Sequence, residues 1–275
     1  MLRNKQQKGF TLLELLIVIA IIGLLASVVM VQFPEAQKRA RIAEAQGFAE
    51  SLRGSLQMDM VAWWPLDETS GSTAKDSWFD QFDGTVVGAV WTEGIINGAL
   101  SFDGSNDYVR IDDVVVANPS SLTIASWFQK QGEGSNYECV LHQSINTSIG
   151  GSSYWMGVDS NDYLTATIGA GTGVGWSAGQ TNIRAILGEW IYLVASWDGS
   201  VVRVYVNGKY IKQYALTTYS NLDTPTRIGA SSDGANYRFN GLIDEVQIYS
   251  AALSQSSIQQ HYAQGLKTHQ TLVKR

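Results

Sequence analysis

Three patterns of apolar and polar residues succeed one another along the chain. Residues 8–33, KGFTLLELLIVIAIIGLLASVVMVQF, are apolar almost throughout; from Leu15 to Phe33 there is no charge, and only Ser27 and Gln32 are strongly polar. That length suffices for one membrane-spanning helix of about 20 residues. In residues 34–60 the pattern changes. Ile42, Ala45, Ala49, Leu52, Leu56 and Met60 recur at spacings of three and four, and Lys38, Arg39, Arg41, Glu44, Glu50 and Arg53 fall on other faces, which marks an amphipathic helix. Pro34 sets a kink or the exit from the membrane, and Gly47 and Gly54 each weaken the helix by about 1 kcal/mol relative to Ala. The two stretches together predict one long helix from residue 11 to 59.

From residue 61 the helical period vanishes until residue 254, and short β-rich runs stand between turn residues. They are TVVGAV (85–90), ALSFDG (99–104), YVRI (108–111), LTIASWF (122–128), IYLVASW (191–197), VVRVYV (201–206), KYIKQYAL (209–216) and GLIDEVQIY (241–249). Asn207-Gly208 predicts a two-residue type I′ hairpin, and Trp197-Asp198-Gly199-Ser200 a tight turn just before it. Many short strands without intervening helices predict an antiparallel β-sandwich. Residues 254–267 predict a short closing helix, with Ser254 as N-cap and Ile258, Tyr262 and Leu266 on one face; residues 268–275 predict a frayed tail.

The chain therefore divides into a short N-terminal segment (1–9), a membrane helix with its amphipathic continuation (10–60), a sandwich head (61–267) and the tail (268–275), an α+β organisation. The 275 residues carry 19 Lys and Arg against 25 Asp and Glu. From residue 60 onward there are 12 basic and 20 acidic side chains and no basic run, which argues against nucleic acid as a partner. Cys139 has no second cysteine to pair with and sits in the apolar stretch ECVLHQ, as a small core residue does. His142 reads as structural, and His261 and His269 as exposed near the C-terminus.

Glu14 is the one charge inside the apolar run. A carboxylate at that depth costs about 2.5–3.5 kcal/mol on insertion scales, so it needs an opposite charge. Arg3, Lys5 and Lys8 precede the run and hold that end in the cytoplasm. The small residue that marks a cut, Gly9, lies before the apolar run, unlike a secretory signal. Basic leader, Gly9, Phe10, Thr11, Leu12, Leu13 and Glu14 followed by an apolar helix resemble the N-terminus of type IV pilins and pseudopilins. That resemblance implies a prepilin peptidase cutting after Gly9 and methylating the Phe10 amine. It also implies that Glu14 pairs with a neighbouring subunit's N-terminal amine during assembly.

The body is similar to the laminin-G-like, concanavalin A-like jelly rolls over residues 61–265. The resemblance is carried by AWWPLDETSG, DSWFDQFDGTVVGAVW, GALSFDGSNDYVRI, SLTIASWF, WIYLVASWDGSVVRVYVNGK and FNGLIDEVQIYSAALSQSSI, in that order. It implies a structural Ca2+, for which Asp76, Asp80, Asp83 and Asp244 are the candidate oxygen ligands; the competing reading is carboxylates that cap turns. Tyr154, Trp155, Trp176 and Tyr237 stand in Gly/Ser/Asn-rich stretches and are candidates for stacking on sugar rings, against the alternative of core aromatics. No carboxylate pair on one strand face and no Ser-His-Asp spacing points to an enzyme.

The expected function is a minor pilin, a filament subunit displaying a lectin-like head for adhesion to a glycan or surface protein. The alternatives are a pseudopilin of a type II secretion system and a membrane-anchored carbohydrate-processing enzyme. The expected location is the bacterial inner membrane as precursor, then an extracellular pilus or a periplasmic pseudopilus.

Overall fold

The structure, a computed structural model, describes residues 12–13, 15–22, 59–112, 115–116, 119–132, 136–144, 152–169, 175–219, 224–231 and 234–273. Two compact units divide the chain, Met1–Ser55 and Leu56–Arg275. In the first, residues 12–13 and 15–22 are helical. Their side chains are exposed although apolar, from Leu12 at 85% to Val18 at 44%. Among the described residues no helix is long and apolar enough to cross a membrane. Asp59 is a turn residue and Met60 opens a strand rather than closing the expected helix; the rest of the helix expected over 11–59 lies outside the described residues, as do Gly9, Phe10 and Glu14.

The second unit consists of two eight-stranded sheets in which every described strand pair is antiparallel. The first sheet runs β14 (Lys209–Ala215), β13 (Val201–Val206), β12 (Trp190–Trp197), β7 (Leu122–Lys130), β16 (Asn240–Tyr249), β5 (Gly98–Asp103), β4 (Val90–Ile96). The other end of β16 pairs with β1 (Met60–Trp64). The second sheet runs β11 (Gln180–Arg184), β10 (Tyr163–Ile168), β9 (Ser152–Val158), β8 (Glu138–Ser144), β15 (Thr226–Ile228), β6 (Tyr108–Ile111), β3 (Gly84–Val87), β2 (Thr73–Ala74).

Alternation decides which side chains fill the space between the sheets. Leu122, Ile124 and Phe128 of β7 point inward, as do Met156 and Val158 of β9 and Leu164 of β10. The intervening Ala125 and Trp127 point to the outer face of the first sheet, into a second cluster with Tyr192, Tyr249 and Ile258. That cluster is closed by a helix, Gln255–Val273. Ser254 caps it, its hydroxyl accepting the Ser257 N–H at 3.2 Å. Tyr262 stacks on Trp127 with centroids 5.4 Å apart. A strand with both faces covered reads as a continuous apolar run rather than an alternating one, and β7 is buried at nearly every position.

Asn207 (φ 51°) and Gly208 (φ 74°) form the type I′ hairpin expected from sequence. Two expectations change. The run 85–90 is not one strand. Gly88, at φ 80°, lies so close to Asp107 that a Cβ would collide with that carboxylate; the chain turns there and passes from the second sheet to the first. The closing helix continues to Val273 rather than fraying after residue 267, since no Gly or Pro follows Lys267 to stop it.

Candidate functional site

The loop between β2 and β3 holds three of the four carboxylates expected to bind a cation. Asp76 is 2% exposed. One of its oxygens accepts the backbone N–H of Trp63 and of Trp78, both at 3.1 Å, and the other those of Gln81 and Phe82 at 3.3 and 3.4 Å. Asp83 accepts the Asp76 N–H at 2.9 Å and pairs with the Lys75 ammonium at 2.6 Å, while Asp80 lies 3.5 Å from the same ammonium. A lysine thus supplies the positive charge of this loop, and Asp76 ties four backbone donors together.

Asp244 does not join them. It faces the β4–β5 hairpin, where one oxygen accepts the N–H groups of Ile95 and Ile96 at 2.9 and 3.0 Å. The reason is a bulge in β16. Glu245 sits at φ 52°, and the register against β7 shifts between Asp244 and Gln247. Among the described residues, no group of three or more His, Cys, Asp or Glu is arranged to hold a metal ion. The four aspartates therefore do not fit the Ca2+ ligand set expected of them.

The bulge places two buried acids side by side. Glu245 accepts the Trp63 indole N–H at 2.8 Å and the Gln247 amide at 3.1 Å. Burial, followed by the neighbouring Glu245, pushes the Asp244 carboxyl up to about 9. Burial, with Asp67 nearby, pushes Glu245 up to about 7 although the Trp63 N–H opposes the shift. Paired acids of raised pKa can serve as proton donors, but here both are engaged by the protein and enclosed.

The expected sugar-stacking aromatics scatter. Tyr154 and Trp155 are strand residues of β9, not loop residues, and successive strand side chains face opposite ways. Tyr154 enters the core and hydrogen-bonds the Thr226 hydroxyl at 2.7 Å. Trp155 turns to the outer face of the second sheet, beside Cys139. Tyr237 packs there too, edge-on to Tyr137 at 5.7 Å. Trp176 opens a 3-10 turn, Trp176–Gly179, and its side chain lies outside the described residues. His142 is buried on β8, as a structural histidine would be. His261 is half-buried, its ring tilted against Tyr249 at 6.0 Å, not exposed as expected. Lys130 is buried with Glu138 at 2.8 Å and Asp162 at 2.6 Å, an ion-paired staple.

Residues 103–259 match the family profile of the concanavalin A-like lectin/glucanases superfamily. The chain belongs to this superfamily. Ahead of the superfamily domain, residues 4–30 match the prokaryotic N-terminal methylation motif, and the chain is homologous to type IV pilins. It is 34% identical over 110 residues to the type IV major pilin protein PilE of Neisseria gonorrhoeae, covering 39% of this chain and 64% of that one. With fimbrial protein EcpC of Eikenella corrodens the identity is 33% over 100 residues, covering 36% and 65%. The chain thus spans slightly under two thirds of the length of these relatives. Among solved structures, domain 4 of AbnA, a GH43 extracellular arabinanase from Geobacillus stearothermophilus in complex with arabinotriose, superposes with a TM-score of 0.56 at 21% identity, covering 74% of this chain and 97% of that one. Trypanosoma rangeli sialidase gives 0.58 at 17% identity, covering 74% and 33%. At such identities the likeness is one of fold.

The second sheet's outer face also carries Arg110 and Arg227, opposed across β6 and β15, neither of which the sequence singled out. The alternation in YVRI carried the signal for the first; TRI, at three residues, is too short to read as a strand.

Proposed function

We propose that the chain is a minor type IV pilin, a non-enzymatic filament subunit that displays a lectin-like head for binding a glycan. A prepilin peptidase removes residues 1–9 and methylates the Phe10 amine. The apolar helix holds the precursor in the inner membrane, with the leader in the cytoplasm, and then packs against other subunits of an extracellular pilus. Glu14 meets a neighbour's N-terminal amine.

The observation that carries this reading is the exposure of the described helical side chains Leu12, Leu13, Leu15, Leu16 and Ile17, between 50% and 85%, within a segment that matches a methylation motif. A helix apolar on all sides is stable only when a bilayer or other chains cover it. A pseudopilin of a secretion system would share this segment and differ in its neighbours. Asp244 and Glu245, the acids nearest to a hydrolase pair, are 0% and 6% exposed, which favours binding over catalysis. In the native host, Glu14→Val should leave insertion and cleavage intact and abolish incorporation into filaments; normal incorporation of that variant overturns the pairing. A glycan array probed with the full chain in detergent, followed by a hydrolase assay on any ligand found, tests the head.

A further inference from the structure

Three ionised side chains from the two sheets meet at the end of β7. The Lys130 ammonium lies 2.6 Å from Asp162 Oδ1 and 2.8 Å from Glu138 Oε1. Lys130 ends β7 in the first sheet; Glu138 opens β8, and Asp162 lies in the turn between β9 and β10, all strands of the second. The Lys130 and Glu138 side chains are 2% and 3% exposed, that of Asp162 39%. Each is held from behind. The Lys130 carbonyl accepts the Gly188 N–H at 2.8 Å, and the second Glu138 oxygen accepts the Asn240 N–H at 3.0 Å. Asp162 stands at φ 64° in a turn fixed by Asp159, whose Oδ1 accepts the N–H groups of Asn161 and Tyr163 at 2.8 and 2.9 Å. The Asp162 N–H donates to the Asp159 carbonyl at 2.9 Å, and its carbonyl accepts the Ala185 N–H at 2.8 Å.

An Nζ 2.6 Å from a carboxylate oxygen lies within about 4 Å of the carboxylate carbon, close to the attack distance of about 3–3.5 Å. Burial pulls the Lys130 ammonium down and the two carboxylates more than reverse it, so the resting triad is ionic. Buried ions carry a desolvation cost that a neutral amide in their place does not. Bulk water opposes the condensation of an amine with an acid, but groups held in contact react with effective molarities of about 10⁵–10⁸ M.

We propose that Lys130 and Asp162 join in an intramolecular amide bond, with Glu138 as the proton carrier. Glu138 takes one proton from the ammonium and passes it to an Asp162 oxygen. The neutral Nζ attacks Asp162 Cγ, forming the N–C bond. The adduct sheds a second proton from nitrogen through Glu138, the Cγ–O bond breaks, and water leaves by the open side of Asp162. Both protons given up by Lys130 depart in that water, Glu138 ends as the carboxylate it was, and the triad keeps its single negative charge. No oxidant, reductant or cofactor is consumed. The chain has one cysteine, so no internal disulfide ties the head; this amide would tie its two sheets covalently in the same way.

The test is mass spectrometry of the full chain, produced in a host without other pilins and purified in detergent, weighed intact and after trypsin. The intact chain should be lighter by one water. Trypsin does not cut after an acylated lysine, so residues 111–184, whose one internal basic residue is Lys130, should emerge as a single peptide, also lighter by one water, with fragmentation placing the link between Lys130 and Asp162. Asp162→Ala, at the half-exposed member, should restore the full mass and the cut after Lys130. Glu138→Gln should slow the loss of water by about 10²–10⁴-fold, read as the linked fraction against time. A parent chain of full mass, cut normally after Lys130, overturns the proposal whatever the variants do. So does a loss of water with Lys130 still cut, as from ring closure at an Asp-Gly pair, or a link that maps to Glu138. Linking at the parent rate in Glu138→Gln overturns the role of that carboxylate.

Discussion

Gly265→Ala sets two effects of known size against each other in the closing helix. In a helix interior Ala is favoured over Gly by about 1 kcal/mol, so propensity alone predicts a more stable protein. The packing predicts the reverse. A Cβ at residue 265 would stand 2.7 Å from Trp127 Cζ2, 2.9 Å from Cε2 and 3.0 Å from Nε1, whereas carbon atoms rest about 3.5–4.0 Å apart. The indole has nowhere to retreat: it is 2% exposed, with the Tyr192 ring 5.1 Å and the Tyr262 ring 5.4 Å from it. The helix must lift instead. Overpacking of this kind costs about 1–3 kcal/mol, and loosening the Tyr262–Trp127 stack adds about 0.5–1.5 kcal/mol. Packing outweighs propensity, and the net loss should be about 0.5–3.5 kcal/mol. Urea denaturation of the full chain in a non-denaturing detergent, followed by tryptophan fluorescence, measures it. Trp127→Phe combined with Gly265→Ala should lose less than the two single changes added together, because the smaller ring makes room. A Gly265→Ala protein more stable than the parent by about 1 kcal/mol would refute the close helix–indole contact.

Other consequences follow from the buried acids. Asp76→Ala strips the acceptor from four backbone N–H groups and should cost about 2–4 kcal/mol in the same denaturation assay; an unchanged midpoint would mean the loop does not depend on that carboxylate. The Glu245 carboxyl stands at about 7 in the folded protein against an ordinary value of 4.5. Its contribution is therefore full below pH 4.5 and lost as the pH rises through 7, about 3 kcal/mol in all. Asp244 has the same sign and extends the loss toward pH 9. Glu245→Gln should flatten the fall in Tm between pH 5 and pH 8.5, and parallel profiles for variant and parent would contradict the assignment. Because Lys75 already pairs with Asp80 and Asp83 and four backbone N–H groups occupy Asp76, the Tm should be the same with millimolar Ca2+ and with chelator; a rise with Ca2+ would restore the cation site.

What the sequence discloses here is local. The hairpin at Asn207-Gly208, the strands around YVRI and VVRVYV, and the cap at Ser254 depend on neighbours within a few residues, and each is legible. Strands β8 to β10 are not. They are buried on both faces and interleave buried polar residues such as Glu138, Gln143, Ser153 and Thr165 with apolar ones, so their period is hidden and Tyr154 and Trp155 pass for loop residues. The fate of Asp244 turns on the left-handed conformation of Glu245, which nothing in LIDEV announces. The opposition of Arg110 and Arg227 is set by a register between segments more than 100 residues apart, and no periodicity within either segment contains it.

The central claim is that an apolar rod with one acid near its start is trimmed and then built into a filament. Mass spectrometry of the protein recovered from surface filaments of its native host tests it most directly. The account predicts a chain beginning at a methylated Phe10 with residues 11–33 retained. A chain still carrying residues 1–9, or one cut behind Phe33, would contradict it.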